Sequence, residues 1–321
     1  MAGETTRYKV TWKHRVVPTG ILRTSSGQMR RLVPYEPPSF IKNGNLGLTP
    51  EAAAAREAFI SRYVIPTTTQ LQGIATRHTS SNRHYPRILG DLFEFSKTRK
   101  IPDLDPTETH FLATHGRFKM GIDVYVPKGE RPAAGWPAIM VVPGGAYFFA
   151  KRGNHHARLL AHAFNQRGFA VASLDYRQIV HTFLPSWEGN LRYSVHDVGH
   201  GLEWFDEQKE RLGLRPNPSN LVGISAGGGI AALVAAHYPD QVAALATYYS
   251  VFDPERIGGP LGHVFLRGLY GVRYDEEERN FYTAVRTMAP TPMMLTHGGK
   301  DSLATPAHLG ALALARIEAG L

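Results

Sequence analysis

From about residue 110 the chain alternates short apolar, β-branched runs with stretches patterned for helices, and that alternation restricts its fold more than any other feature. The apolar runs lie at 121–126, 138–142, 170–174, 221–224, 243–249 and 293–296. Helical patterns fall between and after them, near 153–167, 191–209, 226–238, 277–288 and 306–320. Strands separated by helices pair in parallel through crossovers, and the helices then cover both faces of the sheet. The expected architecture is α/β: a mostly parallel, doubly wound sheet built from residues 110–321. Residues 1–109 read as an N-terminal extension or cap, broken by Pro34, Pro37, Pro38, Gly44 and Gly47. One helix is expected there, opened by Thr49-Pro50-Glu51 and stopped by Pro66. Residues 251–276, with Gly258, Gly259, Pro260 and Gly262, read as an inserted loop or lid piece.

Composition removes several function classes. The 321 residues include no cysteine, which excludes disulfides, thiolate metal sites and a Cys nucleophile, and suits a reducing, cytoplasmic setting. No run approaches the roughly 18 apolar residues of a membrane span. The net charge of +9 comes mostly from the first 110 residues, where 16 Lys+Arg face 9 Asp+Glu. These charges are dispersed rather than gathered into a phosphate-binding groove, so no nucleic-acid partner is expected. The histidines show no metal-ligand spacing, and neither a metal nor an organic cofactor is expected.

Three segments at the ends of expected strands carry chemistry. Gly223-Ile224-Ser225-Ala226-Gly227 follows Leu221-Val222 and precedes a helical run. A Gly-x-Ser-x-Gly sequence between strand and helix makes a sharp turn that exposes the Ser hydroxyl. The N–H of Ala226, at the helix N-terminus, can then face a developing oxyanion. Val142-Pro143-Gly144-Gly145-Ala146-Tyr147 also follows a strand, and its small residues let backbone N–H groups point into a cavity. Thr296-His297-Gly298-Gly299-Lys300-Asp301 puts a carboxylate at the same sheet edge as Ser225, where it can orient a histidine that removes the serine proton.

The ordered set resembles the α/β-hydrolases, and within them the hormone-sensitive-lipase and carboxylesterase branch. It comprises Pro143 to Tyr147, Asp175-Tyr176-Arg177, Asp197, Gly223 to Gly227, and His297 to Asp301. The resemblance covers about residues 110–320. It implies Ser225 as nucleophile, Asp301 as triad acid, and Gly145, Ala146 and Ala226 as oxyanion donors with Gly144 shaping their loop. Asp175 and Arg177 would be structural supports, and Tyr147 and Phe148, beside Phe149, would line an apolar substrate pocket. The implied reaction is cleavage of a small-molecule carboxylic ester through an acyl-serine intermediate.

Three departures stand out, and the mildest is Ala146, which stands where a third Gly is common and keeps its backbone donor. Pro143 occupies the place of the family's loop-holding His. The family also carries its catalytic His about thirty residues beyond the acid, after one more strand, whereas Leu321 is twenty residues past Asp301. The expectation is that the last strand and its His are missing. That leaves a bare sheet edge, and either a homodimer or a partner chain to complete the site. The alternative function is a hydrolase-fold protein that binds a ligand or performs a non-hydrolytic step. Among the remaining imidazoles, His155 and His156 are expected to begin a helix, and His308 to lie on the surface of the helix after Asp301.

Overall fold

The computed structural model describes residues 105–186, 189–257, 259–271, 291–298, 301 and 304–318, together with 9–10, 21–23, 29–31 and 72. The expected helices after Thr49 and at 277–288 lie outside the described residues.

Among the described residues there are ten strands: β1 (Lys9–Val10), β2 (Ile21–Arg23), β3 (Met29–Arg31), β4 (Glu108–His115), β5 (Phe118–Tyr125), β6 (Ala138–Val142), β7 (Ala170–Leu174), β8 (Ser219–Ile224), β9 (Val242–Tyr248) and β10 (Met293–Thr296). Six α-helices lie among the same described residues: α1 (His155–Asn165), α2 (Ile179–Ser186), α3 (Leu191–Glu207), α4 (Ala226–His237), α5 (Gly259–Tyr270) and α6 (Pro306–Glu318). β2 and β3 form a separate antiparallel pair.

The other strands make one sheet in the order β1-β10-β9-β8-β6-β7-β5-β4. β4 and β5 are antiparallel to their neighbours, and the rest run parallel. A parallel strand covered on both faces is apolar along its whole length. β6 shows this directly, since all five of its residues are buried. Met140 and Val142 join the larger core on one face, with Leu202 and Phe205 of α3 and Ile230 and Val234 of α4. Ile139 and Val141 join a smaller core on the other face, with Ala157 and Ala161 of α1. This alternation is the two-residue period of a strand separating two packed layers.

Two expectations change here. The stretch 251–276 holds α5, which packs Phe265, Leu269 and Tyr270 into the core. The bare edge expected at β10 carries β1, paired in parallel through Lys9↔Met294 and Val10↔Leu295.

Candidate active site

β8 ends at Ile224, and the chain reverses at Ser225 into α4. Ser225 has φ 53° and ψ −122°, a conformation that costs a non-glycine residue energy and persists only where its surroundings enforce it. The enforcement is visible. Ser225 N–H donates to Tyr248 O at 2.9 Å, and its carbonyl accepts from Gly228 N at 3.0 Å and Val251 N at 3.2 Å. A Cβ at Gly227 would collide with the carbonyl oxygens of Val142 and Pro143, so only glycine lets α4 start this close to the end of β6.

The loop after β6 closes over the same turn. A Cβ on Gly144 would fall 2.7 Å from Ile224 O and 3.0 Å from Ser225 Cβ, so the loop backbone lies directly against the serine. Ala146 and Tyr147 both have positive φ, 51° and 60°. Their strained geometry is held by hydrogen bonds to the loop's carbonyls. Tyr176 Oη donates to Pro143 O at 2.7 Å, and Asn154 Nδ2 donates to Gly144 O at 2.9 Å. Gly145 O accepts from the N–H groups of Phe148 and Phe149, and Tyr147 O accepts from Ile179 N. Gln178 clamps Ala150 through both ends of its amide, at 2.8 and 2.6 Å. The carbonyls of Pro143, Gly144, Gly145 and Tyr147 are thus all engaged. Among the described residues, nothing accepts from the N–H groups of Gly145, Ala146 or Ala226.

Sequence reading left the loop without the family's His at position 143. The structure supplies other anchors, Asn154, Tyr176 and Gln178, of which only Tyr176 belonged to a segment singled out in the sequence. Asn154 is fully buried and serves twice: its Oδ1 caps α1 by accepting from Ala157 N at 2.8 Å while its amide holds the loop. Asp175 and Arg177 also act as supports. Asp175 accepts from Arg152 N at 2.9 Å and pairs with the Arg152 guanidinium, which also reaches Asp123 at 2.9 Å. Arg177 binds the buried Asp197 through its backbone N–H at 2.8 Å and through its guanidinium.

Asp301 follows β10, two strands along from β8 at the same sheet edge. Its Oδ1 accepts from Ala304 N at 3.0 Å, and its Oδ2 lies 3.9 Å from His297 Nε2. It neighbours Tyr249, whose hydroxyl is raised above the ordinary tyrosine range by burial and then by the charge of Asp301. No contact joins Asp301 to Ser225 among the described residues.

The apolar trio divides. Tyr147 is buried, with its hydroxyl donating to Val251 O at 3.2 Å and its ring edge-on to Phe265 at 6.0 Å. Phe148 is half-buried, 5.8 Å from Phe265, and Phe149 is exposed beside it. The open apolar surface at the loop therefore belongs to the two phenylalanines.

No imidazole among the described residues hydrogen-bonds the Ser225 hydroxyl. His297 donates through Nε2 to Ala304 O. His308, expected on a helix surface, is instead fully buried: its Nδ1 accepts from Asp253 N at 3.3 Å. Apolar residues flank it along α6, so the first turn of that helix packs inward. His181 accepts from Gln178 N at 2.9 Å and lies against Phe118. His155 and His156 do open α1, and the His156 ring meets the edge of Tyr249 at 6.4 Å. Burial, and then the neighbouring His155, holds His156 below the ordinary imidazole range. Among the described residues there is no cluster of three or more metal-ligating side chains, and no helix is long and apolar enough to cross a membrane.

Comparisons with known proteins agree with this geometry. The BD-FAE family profile matches residues 122–253. Isoprenylcysteine alpha-carbonyl methylesterase ICME of Arabidopsis thaliana is 24% identical over 205 residues, covering 56% of this chain and 45% of that protein. Lipase 1 of Geotrichum candidum is 29% identical over 112 residues, covering 33% of this chain and 20% of that protein. The matches thus span less than half the length of these relatives. Among solved structures, the Thermogutta terrifontis esterase Est2 superposes with a TM-score of 0.54 at 21% identity, covering 71% of this chain and 82% of that one. A lipase/esterase from Lactobacillus plantarum gives 0.53 at 18% identity, covering 66% and 85%.

Sheet order, serine turn and structural likeness agree, and the chain has the α/β-hydrolase fold. Within that fold the proteins it is similar to are esterases and lipases.

Proposed function

We propose that the chain is a serine hydrolase of the carboxylesterase type that cleaves a small-molecule carboxylic ester through an acyl-Ser225 intermediate. The observation that carries this is the approach of the Gly144 backbone to Ser225 Cβ, with the N–H groups of Gly145, Ala146 and Ala226 unclaimed beside it. Attack by Oγ on an ester carbonyl moves the carbonyl electron pair onto oxygen, and preorganised amides stabilise the resulting oxyanion. Asp301 orients the imidazole that takes the serine proton and later returns it to the leaving alkoxide. Phe148 and Phe149 favour an apolar acyl or alcohol group. The esterases and lipases among the relatives support ester chemistry, and no step requires a metal or organic cofactor.

The test is intact-protein mass after exposure to a fluorophosphonate, with Ser225→Ala as control. One adduct, absent from the variant, is expected. A folded protein that takes no adduct contradicts the hydrolase reading. It favours the second one, ligand binding or a non-hydrolytic step, which draws on the absence of a described imidazole at Ser225 Oγ.

A further inference from the structure

The loop after β6 is tied at its far end by Gln178, whose amide donates to Ala150 O at 2.6 Å and accepts from Ala150 N at 2.8 Å. Ala150 in turn limits Gly145. A Cβ built on Gly145 would collide with the backbone nitrogen of Ala150, so the Gly145 backbone rests directly on that residue. The N–H groups of Gly145 and Ala146 therefore stand where Ala150, and hence Gln178, allows.

Gln178 is itself held by α2. It immediately precedes Ile179, the first residue of that helix. Its backbone N–H donates to His181 Nδ1 at 2.9 Å, and its carbonyl accepts from His181 N at 2.8 Å. This is the reciprocal bonding of a helix start, in which a side chain three residues on accepts from a backbone donor at the cap. Glutamate or glutamine commonly fills that role. An imidazole fills it only while Nδ1 carries no proton. Burial holds the His181 ring below the ordinary imidazole range, against the opposing charges of Asp197 and then Asp175. Those carboxylates are paired with Arg177 and Arg152, and the ring itself lies against Phe118, with centroids 4.6 Å apart.

We propose that His181 is a positioning residue for the oxyanion donors of Ser225, acting through Gln178 and Ala150. The inference rests on the esterase reading above. The neutral ring fixes the Gln178 backbone, the Gln178 amide fixes Ala150, and Ala150 fixes Gly145. Loss of the Nδ1 acceptor frees Gln178 to shift, and its amide then no longer meets both polar groups of Ala150. Displaced donors weaken stabilisation of the oxyanion more than binding of the uncharged ester, so the cost falls on kcat rather than KM.

Substitutions at position 181 separate the nitrogen from the ring. His181→Asn keeps an acceptor near Nδ1 and loses the ring, whereas His181→Phe keeps a ring beside Phe118 and loses the acceptor. The experiment measures kcat and KM for p-nitrophenyl acetate, fluorophosphonate labelling rates and melting temperatures for the parent, these two variants and Gln178→Ala. The expected kcat is lower by about tenfold in His181→Phe and Gln178→Ala, and within about threefold of the parent in His181→Asn, with KM little changed throughout. In the double variant His181→Phe/Gln178→Ala the two losses should not add, because both break one chain of contacts. A parent-like His181→Phe beside an impaired His181→Asn shows that ring packing matters and overturns the proposal. Lower melting temperature with parent-like kcat shows a helix cap alone, and overturns it as well. Additive losses in the double variant do the same. Should His181→Phe fail to fold, His181→Asn and Gln178→Ala decide: an Asn variant as impaired as Gln178→Ala, or a parent-like Gln178→Ala, overturns it. Each of these results leaves the esterase reading standing, whereas a folded parent that neither labels nor turns over ester overturns both.

Discussion

Gly144 lies against Ser225, with only the room that a missing side chain leaves between them. A methyl group added to Gly144 would sit 3.0 Å from Ser225 Cβ and 2.7 Å from the carbonyl oxygen of Ile224, and backbone cannot yield there as a side chain could. Two strand ends, those of β6 and β8, are thereby locked at one separation. Gly144→Ala must push the loop outward and carry the Gly145 and Ala146 amides with it. Loss of one well-placed oxyanion donor typically costs a factor of 100 or more in kcat. A fall in kcat of about 100-fold with KM little changed is expected, read from steady-state hydrolysis of an activated ester. A variant with parent-like kcat would show that this contact is not what sets the amides.

Asn154 allows cap and anchor to be separated. Asn154→Ala removes both the α1 cap and the bond to Gly144 O, and cap loss alone is worth about 1 kcal/mol. Asn154→Asp keeps the capping oxygen but sets an acceptor against the Gly144 carbonyl, where the amide had donated. The Ala variant should lose stability and activity together. The Asp variant should keep most of the helix contribution and still lose activity about tenfold. Chemical denaturation alongside turnover distinguishes the two, and equal activity in parent and Asp variant would contradict the anchoring role.

Ser225 holds its turn in a strained backbone conformation. At φ 53° a side chain is disfavoured, and glycine is not. Ser225→Gly should therefore raise the unfolding free energy relative to Ser225→Ala by about 1 kcal/mol, with both variants unlabelled by fluorophosphonate. Urea midpoints of the pair give the answer directly. If glycine is the less stable of the two, the turn is not strained as its dihedral angles indicate.

Much of this was legible from residue order, and what was not failed for physical reasons. β6, β7 and β10 match the apolar runs because strands buried on both faces are written as continuous apolar sequence. β4, which reads Glu-Thr-His-Phe-Leu-Ala-Thr-His, went unrecognised as an edge strand whose alternate residues meet solvent. α5 was hidden by its opening glycines and proline, and tertiary burial of Phe265 and Leu269 sustains it where local propensity does not. Ser225 announced itself through local spacing. Asn154 and Gln178 could not, because their roles depend on which distant carbonyl each amide meets. β1 was equally invisible: a two-residue strand carries no periodicity, and only its pairing with β10 gives it meaning.

His308 makes acid stability a test of the core. Burial, followed by the charges of His297 and Arg256, pushes its imidazole down from 6.5 to about 3. In the unfolded chain the same ring takes up a proton below 6.5, so between these two values the unfolded state binds a proton that the folded state refuses. Stability from this group is complete above that window and declines as pH falls through it. The limiting slope for one such group is about 1.4 kcal/mol per pH unit. His308→Gln keeps an acceptor for Asp253 N and removes the titration. Urea midpoints measured at pH 7.5 and pH 5 should fall on acidification in the parent and fall distinctly less in the variant. Parallel declines in the two proteins would mean that His308 is protonated in the fold, and the inward packing of the first turn of α6 would then need another explanation.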